Sequence, residues 1–112
     1  MIDSHLSSLI AMAIAVMFGV SAFVHLLGPD FIRDAYRRWN FPPMFHRVTG
    51  ILELLAAIFL ALPATRIWGV ALAALVTFVA VVTLLNNRQY AWTLPGFLVL
   101  AALVPASVSG LI

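Results

Sequence analysis

Glu53 is the residue from which any chemistry of this chain has to start. It is the only acid in an apolar stretch running from about Met44 to Leu62. As part of a membrane-crossing helix it would lie about nine positions in, roughly 12 Å deep at about 1.5 Å per residue. A bare carboxylate at that depth costs several kcal/mol, so it must be protonated, paired, hydrated or turned into an internal cavity. Two readings follow. Glu53 is a titrating handle for a proton or a substrate, or it is a hydrogen-bond clamp between helices.

The spacing around Glu53 supplies candidate companions. His46, Gly50, Glu53 and Ala57 follow a 4-3-4 rhythm and fall on one side of a helix. Gly50 and Ala57 remove bulk beside the carboxylate, which suits close helix contact or a small polar space. His25 ends the preceding apolar stretch, where a helix C-terminus favours a cation and an imidazole titrates near neutrality. Thr83, Asn86 and Asn87 end the stretch that follows. Because successive spans alternate in direction, these residues gather in one half of the membrane. The candidate polar cavity is therefore Glu53, His25, His46, Arg47, Gly50, Thr83, Asn86 and Asn87, with Arg47 long enough to reach a carboxylate or to snorkel to headgroups. The opposite half offers mainly Ser7, Ser8, Thr65, Arg66, Ser107 and Ser109. The bundle reads as polar on one side and sealed on the other.

Several chemistries are absent from the sequence. It has no cysteine and no HxxH or ExxH pair, so no metal site is expected. Walker loops, dinucleotide fingerprints, Ser-His-acid arrangements and EF-hands do not occur. Asn86-Asn87 is first of all a turn, and Trp39, Trp68 and Trp92 are most simply interface anchors.

The elements that position these groups follow from composition. Of the 112 residues, 64% are apolar and 9% charged, with a mean hydropathy of +1.12. Soluble domains carry about 25% charged residues, so an ordinary soluble enzyme is excluded. A net charge of +2 is too small for a nucleic-acid footprint. Uncharged runs predict an all-α, four-helix transmembrane bundle, a single integral membrane domain over 1–112 with spans near 7–27, 44–62, 67–85 and 93–111. The first run is not read as a signal peptide, because Asp3 and His5 stand where basic residues would be expected. Between spans one and two, Gly28-Pro29-Asp30 stops one helix and restarts another. Residues 31–39 then read as a short interfacial helix whose Ile32, Tyr36 and Trp39 form a stripe suited to the headgroup region, ended by Asn40-Phe41-Pro42-Pro43. Ala11, Ala15 and Gly19, followed by Ala22, form a small-residue face for packing within the chain or against a second copy. Pro95 falls in the first turn of the last span. Pro105 is expected to bend that span, with Ser107 and Ser109 taking up freed carbonyls.

The segment from Phe45 to Gly69 resembles the DoxX-like family of small four-span membrane proteins. The likeness rests on Gly50 and Glu53 in a G-x-x-E-L context, then Leu62-Pro63 and Arg66 before Gly69. Upstream, His25-Leu26-Leu27-Gly28, Tyr36 and Phe41-Pro42 resemble the family's first connection. Many relatives carry lysine where His25 stands, so a permanent cation–carboxylate pair between spans one and two is not implied here. The resemblance implies a bacterial inner-membrane protein acting as a non-catalytic subunit or assembly partner of a quinone-linked oxidoreductase. Two alternatives stand beside it. One is a small proton-coupled transporter, although small multidrug exporters place their acid in span one and Glu53 is in span two. The other is an enzyme acting on a lipid or quinone, with Glu53 and His25 as acid and base. No cofactor motif is evident, but a quinone or lipid needs only a shaped site with one or two hydrogen bonds. The expected partners are membrane lipids and a membrane protein or a second copy of the chain.

Orientation follows from the arginines. Arg33, Arg37, Arg38, Arg47 and Arg88 lie on one side and Arg66 on the other, which predicts cytoplasmic first and third loops and external termini. Reporter fusions after Ile112 and near Arg88 should therefore give opposite topology signals, with the C-terminus outside. A cytoplasmic C-terminus would reverse the assignment.

Overall fold

Long uncharged runs become helices in hydrocarbon because each backbone N–H and C=O must be satisfied within its own segment. The computed structural model describes residues 4–42 and 44–111 and is all-α. Asp3 and Pro43, which entered the sequence reading, lie outside the described residues, as does the side chain of Ser109. The helices are α1 (Ser4–Leu27), α2 (Asp30–Arg38), α3 (Phe45–Ala61), α4 (Arg66–Asn86) and α5 (Leu94–Leu111), with short 3-10 turns at Pro63–Thr65 and Tyr90–Thr93. Among the described residues, three stretches, His5–Leu27, Pro63–Asn86 and Tyr90–Val108, are long and apolar enough to cross a membrane. The 17 residues of α3 are shorter, about 26 Å at 1.5 Å per residue. This helix carries Glu53.

The breaks between helices have local causes. Gly28 takes a left-handed φ of 63° and its N–H still bonds Val24 O at 3.1 Å, ending α1 before Pro29 begins α2. The α2 helix closes in a Schellman motif: Asn40 is left-handed, its N–H bonds Arg37 O, and Phe41 N–H bonds Tyr36 O. The same motif ends α4, where Arg88 is left-handed and Gln89 N–H bonds Leu84 O at 2.9 Å. Pro95 sits in the first turn of α5, where a missing N–H is harmless. The expected bend at Pro105 does not interrupt α5, which is helical on both sides of the proline. Ser107 Oγ bonds Val104 O at 2.6 Å, while Ser7 Oγ, from α1, bonds Pro105 O at 2.6 Å and Ala106 O at 3.1 Å. The carbonyls around the proline are held across helices as well as along their own.

The four long helices pack as a closed ring in the order α1–α3–α4–α5. The end of α1 lies against the start of α3, where a Cβ on Gly50 would stand 3.1 Å from Ala22 O. The end of α3 meets the start of α4 at Gly69, and α4 meets α5 where Val81 covers Gly96. Neighbours are thus antiparallel. The core is thin: Ala11, Ala15, Ala56, Ala57, Ala73 and Ala106 are buried beside Ile14, Phe18, Leu60 and Leu103. Large apolar side chains such as Val16, Phe23, Trp68 and Val104 point outward, as lipid-facing residues do. The small-residue face expected on α1 is confirmed at Ala11, Ala15 and Ala22, but Gly19 departs from it. Phe18 fills the buried place, and a Cβ on Gly19 would meet nothing within 4 Å.

The two glycines Gly69 and Gly19 therefore respond oppositely to a methyl group. At Gly69 a Cβ would lie 2.6 Å from Leu60 N and 2.9 Å from Phe59 C, both backbone atoms that cannot swing aside. Gly69→Ala should lower thermal stability in detergent by about 1–3 kcal/mol through overpacking. Gly19→Ala should be neutral or stabilising by up to about 1 kcal/mol through helix propensity. Equal losses at the two positions would show that α1 uses Gly19 as a close contact after all.

Candidate functional site

A cavity of about 430 Å³ opens between the α2 end of α1, the first half of α3 and the last half of α4. The sequence places its polar atoms by simple helical spacing. Ser21 and His25 are one turn apart on α1, Thr49 and Glu53 one turn apart on α3, and Thr83 stands near the end of α4. Its roof is aromatic. Tyr36 and Trp39 from α2 join Phe41 and Phe45, with Phe41 and Phe45 stacked at 4.8 Å and 10°. Leu52, Leu75, Val76 and Val79 complete apolar walls. Such a mixture of mainly apolar lining with a few convergent polar groups is what small-molecule sites present.

Glu53 is 6% exposed. Its Oε1 lies 3.4 Å from His25 Nδ1, and its Oε2 has no hydrogen-bond partner among the described residues. The same His25 nitrogen is 2.8 Å from Ser21 O and 3.3 Å from Ser21 Oγ. One ring nitrogen thus stands between a helix carbonyl, a hydroxyl and a carboxylate. With its proton on Nδ1, His25 donates to Ser21 O and turns toward Glu53; with the proton removed, Nδ1 accepts from Ser21 Oγ. Which role Nδ1 plays depends on the tautomer, and Glu53 Oε2 takes no part in the contact. Tyr36 packs edge-on to His25 at 6.0 Å and donates its hydroxyl to Thr49 Oγ1 at 2.9 Å. Trp39 donates Nε1–H to Gln89 Oε1 at 3.3 Å and so ties α2 to the turn before α5.

Of the eight residues expected in one polar cavity, His25, Glu53 and Thr83 line this one. Thr83 bonds its own helix at Val79 O, 2.8 Å away. Gly50 is buried, but it serves close helix contact: a Cβ there would lie 2.9 Å from Leu26 Cγ. His46 is 3% exposed and lines a separate, smaller cavity of about 220 Å³ with Arg33, Arg37 and Met44. Arg47, Asn86 and Asn87 are exposed, and Asn87 Nδ2 donates to Thr83 O at 2.8 Å to cap its helix. Arg47 lines neither cavity. Trp68 and Trp92 are exposed as interface anchors should be, whereas Trp39 is turned inward over the cavity. Ser21, Tyr36, Trp39 and Thr49 were not singled out as site residues. The i,i+4 pairs Ser21–His25 and Thr49–Glu53 carried the signal, and so did the Tyr36–Trp39 stripe once it is folded inward rather than toward headgroups. Among the described residues, no group of three His, Asp or Glu side chains is placed to hold a metal ion.

The chain belongs to the DoxX-like family, whose model matches residues 9–106. It is accordingly a multi-pass membrane protein, and α2 is the short non-spanning helix between the first two long ones. No curated protein and no solved structure matches it.

Tyr36 gives the roof a pH signature. Burial pushes its phenol above the ordinary value of 10.0. A group whose folded pKa is raised contributes stability below its unfolded pKa and loses it as pH rises through the folded value. Thermal stability in detergent should therefore hold to about pH 9 and decline above pH 10, with a shallower decline in Tyr36→Phe. Parallel declines in the two proteins would mean that Tyr36 is solvated and forms no roof.

Proposed function

We propose that this membrane protein is a non-catalytic subunit that holds a quinone-like amphiphile for a membrane oxidoreductase complex. The observation that carries the reading is Glu53, buried with Oε2 unpartnered among the described residues, in the lining of an aromatic-roofed cavity of about 430 Å³. A carboxylate oxygen kept without a partner in an apolar bundle is costly unless a ligand completes it. The residues fit a quinone ring. Tyr36, Trp39, Phe41 and Phe45 offer flat apolar surface, while Glu53 and His25 offer hydrogen bonds at one edge. A bound quinone supplies the electron chemistry. The chain's own residues orient the ring, exclude water and hold a proton between His25 Nδ1 and Glu53 Oε1. The polar cavity occupies one end of the bundle, and the other end is closed around Arg66. That asymmetry favours a binding subunit over a transporter, which needs access from both sides. The same reading places the protein in a bacterial inner membrane, with loops one and three cytoplasmic and a membrane protein or a second copy as partner.

The test uses Trp39, which lines the cavity, as a reporter in a Trp68→Phe/Trp92→Phe background. A short-chain benzoquinone titrated into the detergent-solubilised protein should quench Trp39 fluorescence saturably. Glu53→Leu should weaken binding by about tenfold, the equivalent of one buried hydrogen bond at about 1.4 kcal/mol. Glu53→Gln keeps the shape and a hydrogen-bonding end, so the bundle should stay folded while the dependence of affinity on pH between 5 and 9 flattens. Linear, unsaturable quenching, or equal affinity in wild type and Glu53→Leu, would overturn the assignment.

A further inference from the structure

The smaller cavity, about 220 Å³, lies on the far side of Tyr36 and Phe41 from the larger one, and these two side chains line both. Its polar lining is basic. Arg33 and Arg37, one turn apart on α2, face His46 from the first turn of α3. His46 is 3% exposed, and its Nε2 is buried without a hydrogen-bond partner among the described residues. The bare α-carbon of Gly28 makes the convergence possible in space: a Cβ there would stand 2.5 Å from His46 Nε2 and 3.3 Å from Arg33 Nε. The imidazole nitrogen and the guanidinium thus close on one point from two helices.

Among the described residues, no carboxylate lines this cavity. Asp34 reaches Arg37 at 3.3 Å, but both side chains are mostly exposed there, at 61% and 76%, where such a pair is screened and contributes little. Two guanidinium groups therefore present donors beside a buried imidazole, with no carboxylate among the described lining residues. Arg is suited to phosphate because its planar fork donates two parallel hydrogen bonds. Phe41, Pro42 and Met44 form the apolar remainder of the lining, which a free inorganic ion has no use for. The helix bearing both arginines has no buried residue and exposes Phe31 beside them, the arrangement of a helix lying in the headgroup layer.

We propose that Arg33, Arg37 and His46 form a binding site for the phosphate of an anionic membrane lipid, separate from the cavity at Glu53. The guanidinium groups of Arg33 and Arg37 hold the phosphate oxygens. His46 forms a buried wall beside them, and the glycerol and upper acyl carbons lie over Phe41 and Met44.

Native mass spectrometry of the detergent-solubilised protein with added phosphatidylglycerol or phosphatidylcholine tests this directly. Wild type should retain one phosphatidylglycerol in clear preference to phosphatidylcholine. Arg33→Gln/Arg37→Gln, whose changes are at exposed positions, should keep its melting temperature and its response to the short-chain benzoquinone. It should retain phosphatidylglycerol about thirtyfold less well, as expected for two arginines near a lipid phosphate. Inorganic phosphate added at millimolar concentration distinguishes the sources. Failure of phosphate to displace the lipid supports a lipid-borne phosphate. Displacement at that concentration supports the same phosphate recognition and overturns the lipid as its source. Equal retention of the two lipids by wild type, or undiminished phosphatidylglycerol on the double variant, would overturn the site altogether.

Discussion

A carboxylate kept inside a bundle of apolar helices is the constraint on which the rest of this structure depends. A leucine at position 53 would pack at lower cost, because an ion or polar group in a low-dielectric interior seldom recovers its lost hydration. The protein answers part of that cost with His25, placed 3.4 Å from one oxygen, and leaves the other without a hydrogen-bond partner among the described residues, on a residue that lines a hollow. The hollow in turn requires a roof, since headgroup water would otherwise reach a site only a few turns below the helix ends. The roof is α2, held by Tyr36 on Thr49 and Trp39 on Gln89. A short amphipathic helix that would otherwise lie freely on the membrane surface thereby becomes part of the site.

The two ends of the bundle solve the same problem differently. Helix ends leave carbonyls without partners, and those carbonyls are expensive in hydrocarbon. At the closed end Arg66, 2% exposed, donates Nε–H to Leu60 O at 2.7 Å and reaches Ala61 O and Ser8 Oγ. One side chain thus ties the end of α3 to the starts of α1 and α4. Ser7 does the corresponding work between α1 and α5. Around these two groups the alanine core lets backbones approach closely and leaves little volume. Among the described residues the open end buries no arginine; α1 and α3 still meet closely at Gly50, and the rings of Tyr36, Trp39, Phe41 and Phe45 line the cavity beside them.

Much of this was legible in the sequence, and the parts that were not have physical reasons. Uncharged runs, Gly28-Pro29 and the tight Pro63–Arg66 link marked the helices because composition and chain-breaking residues act locally. His25 and Glu53 were legible as neighbours because antiparallel succession brings the end of one helix to the start of the next. His46 was placed on the same side of α3 as Glu53, and it is buried as that implies, yet it opens into another cavity. Seven residues along a helix are about 10 Å, enough for α2 and Tyr36 to intervene. Arg47 reads in the sequence as reaching a carboxylate or snorkelling to headgroups; one residue along from His46 turns it about 100° around the helix and out of the bundle, which suits the second. Arg66 was assigned to the sealed half and is there, although its depth of burial depends on the carbonyls it meets, which no local pattern reveals. Trp39 shows the general limit. Its residue type favours an interface, and only the position of Gln89, distant in sequence, turns it inward.

Tyr36 is where these separate solutions meet. Its ring lies edge-on to His25 at 6.0 Å and to His46 at 6.2 Å, and its hydroxyl is held by α3 through Thr49. It is therefore a wall of both cavities and, through Thr49, a contact between α2 and α3. The same nine-residue helix supplies Ile32, Ala35 and Tyr36 to the larger cavity and Arg33, Tyr36 and Arg37 to the smaller. One short element thus lines two spaces of opposite character, one with a buried carboxylate in its wall and one with two guanidinium groups, because residues one position apart on a helix point about 100° away from each other.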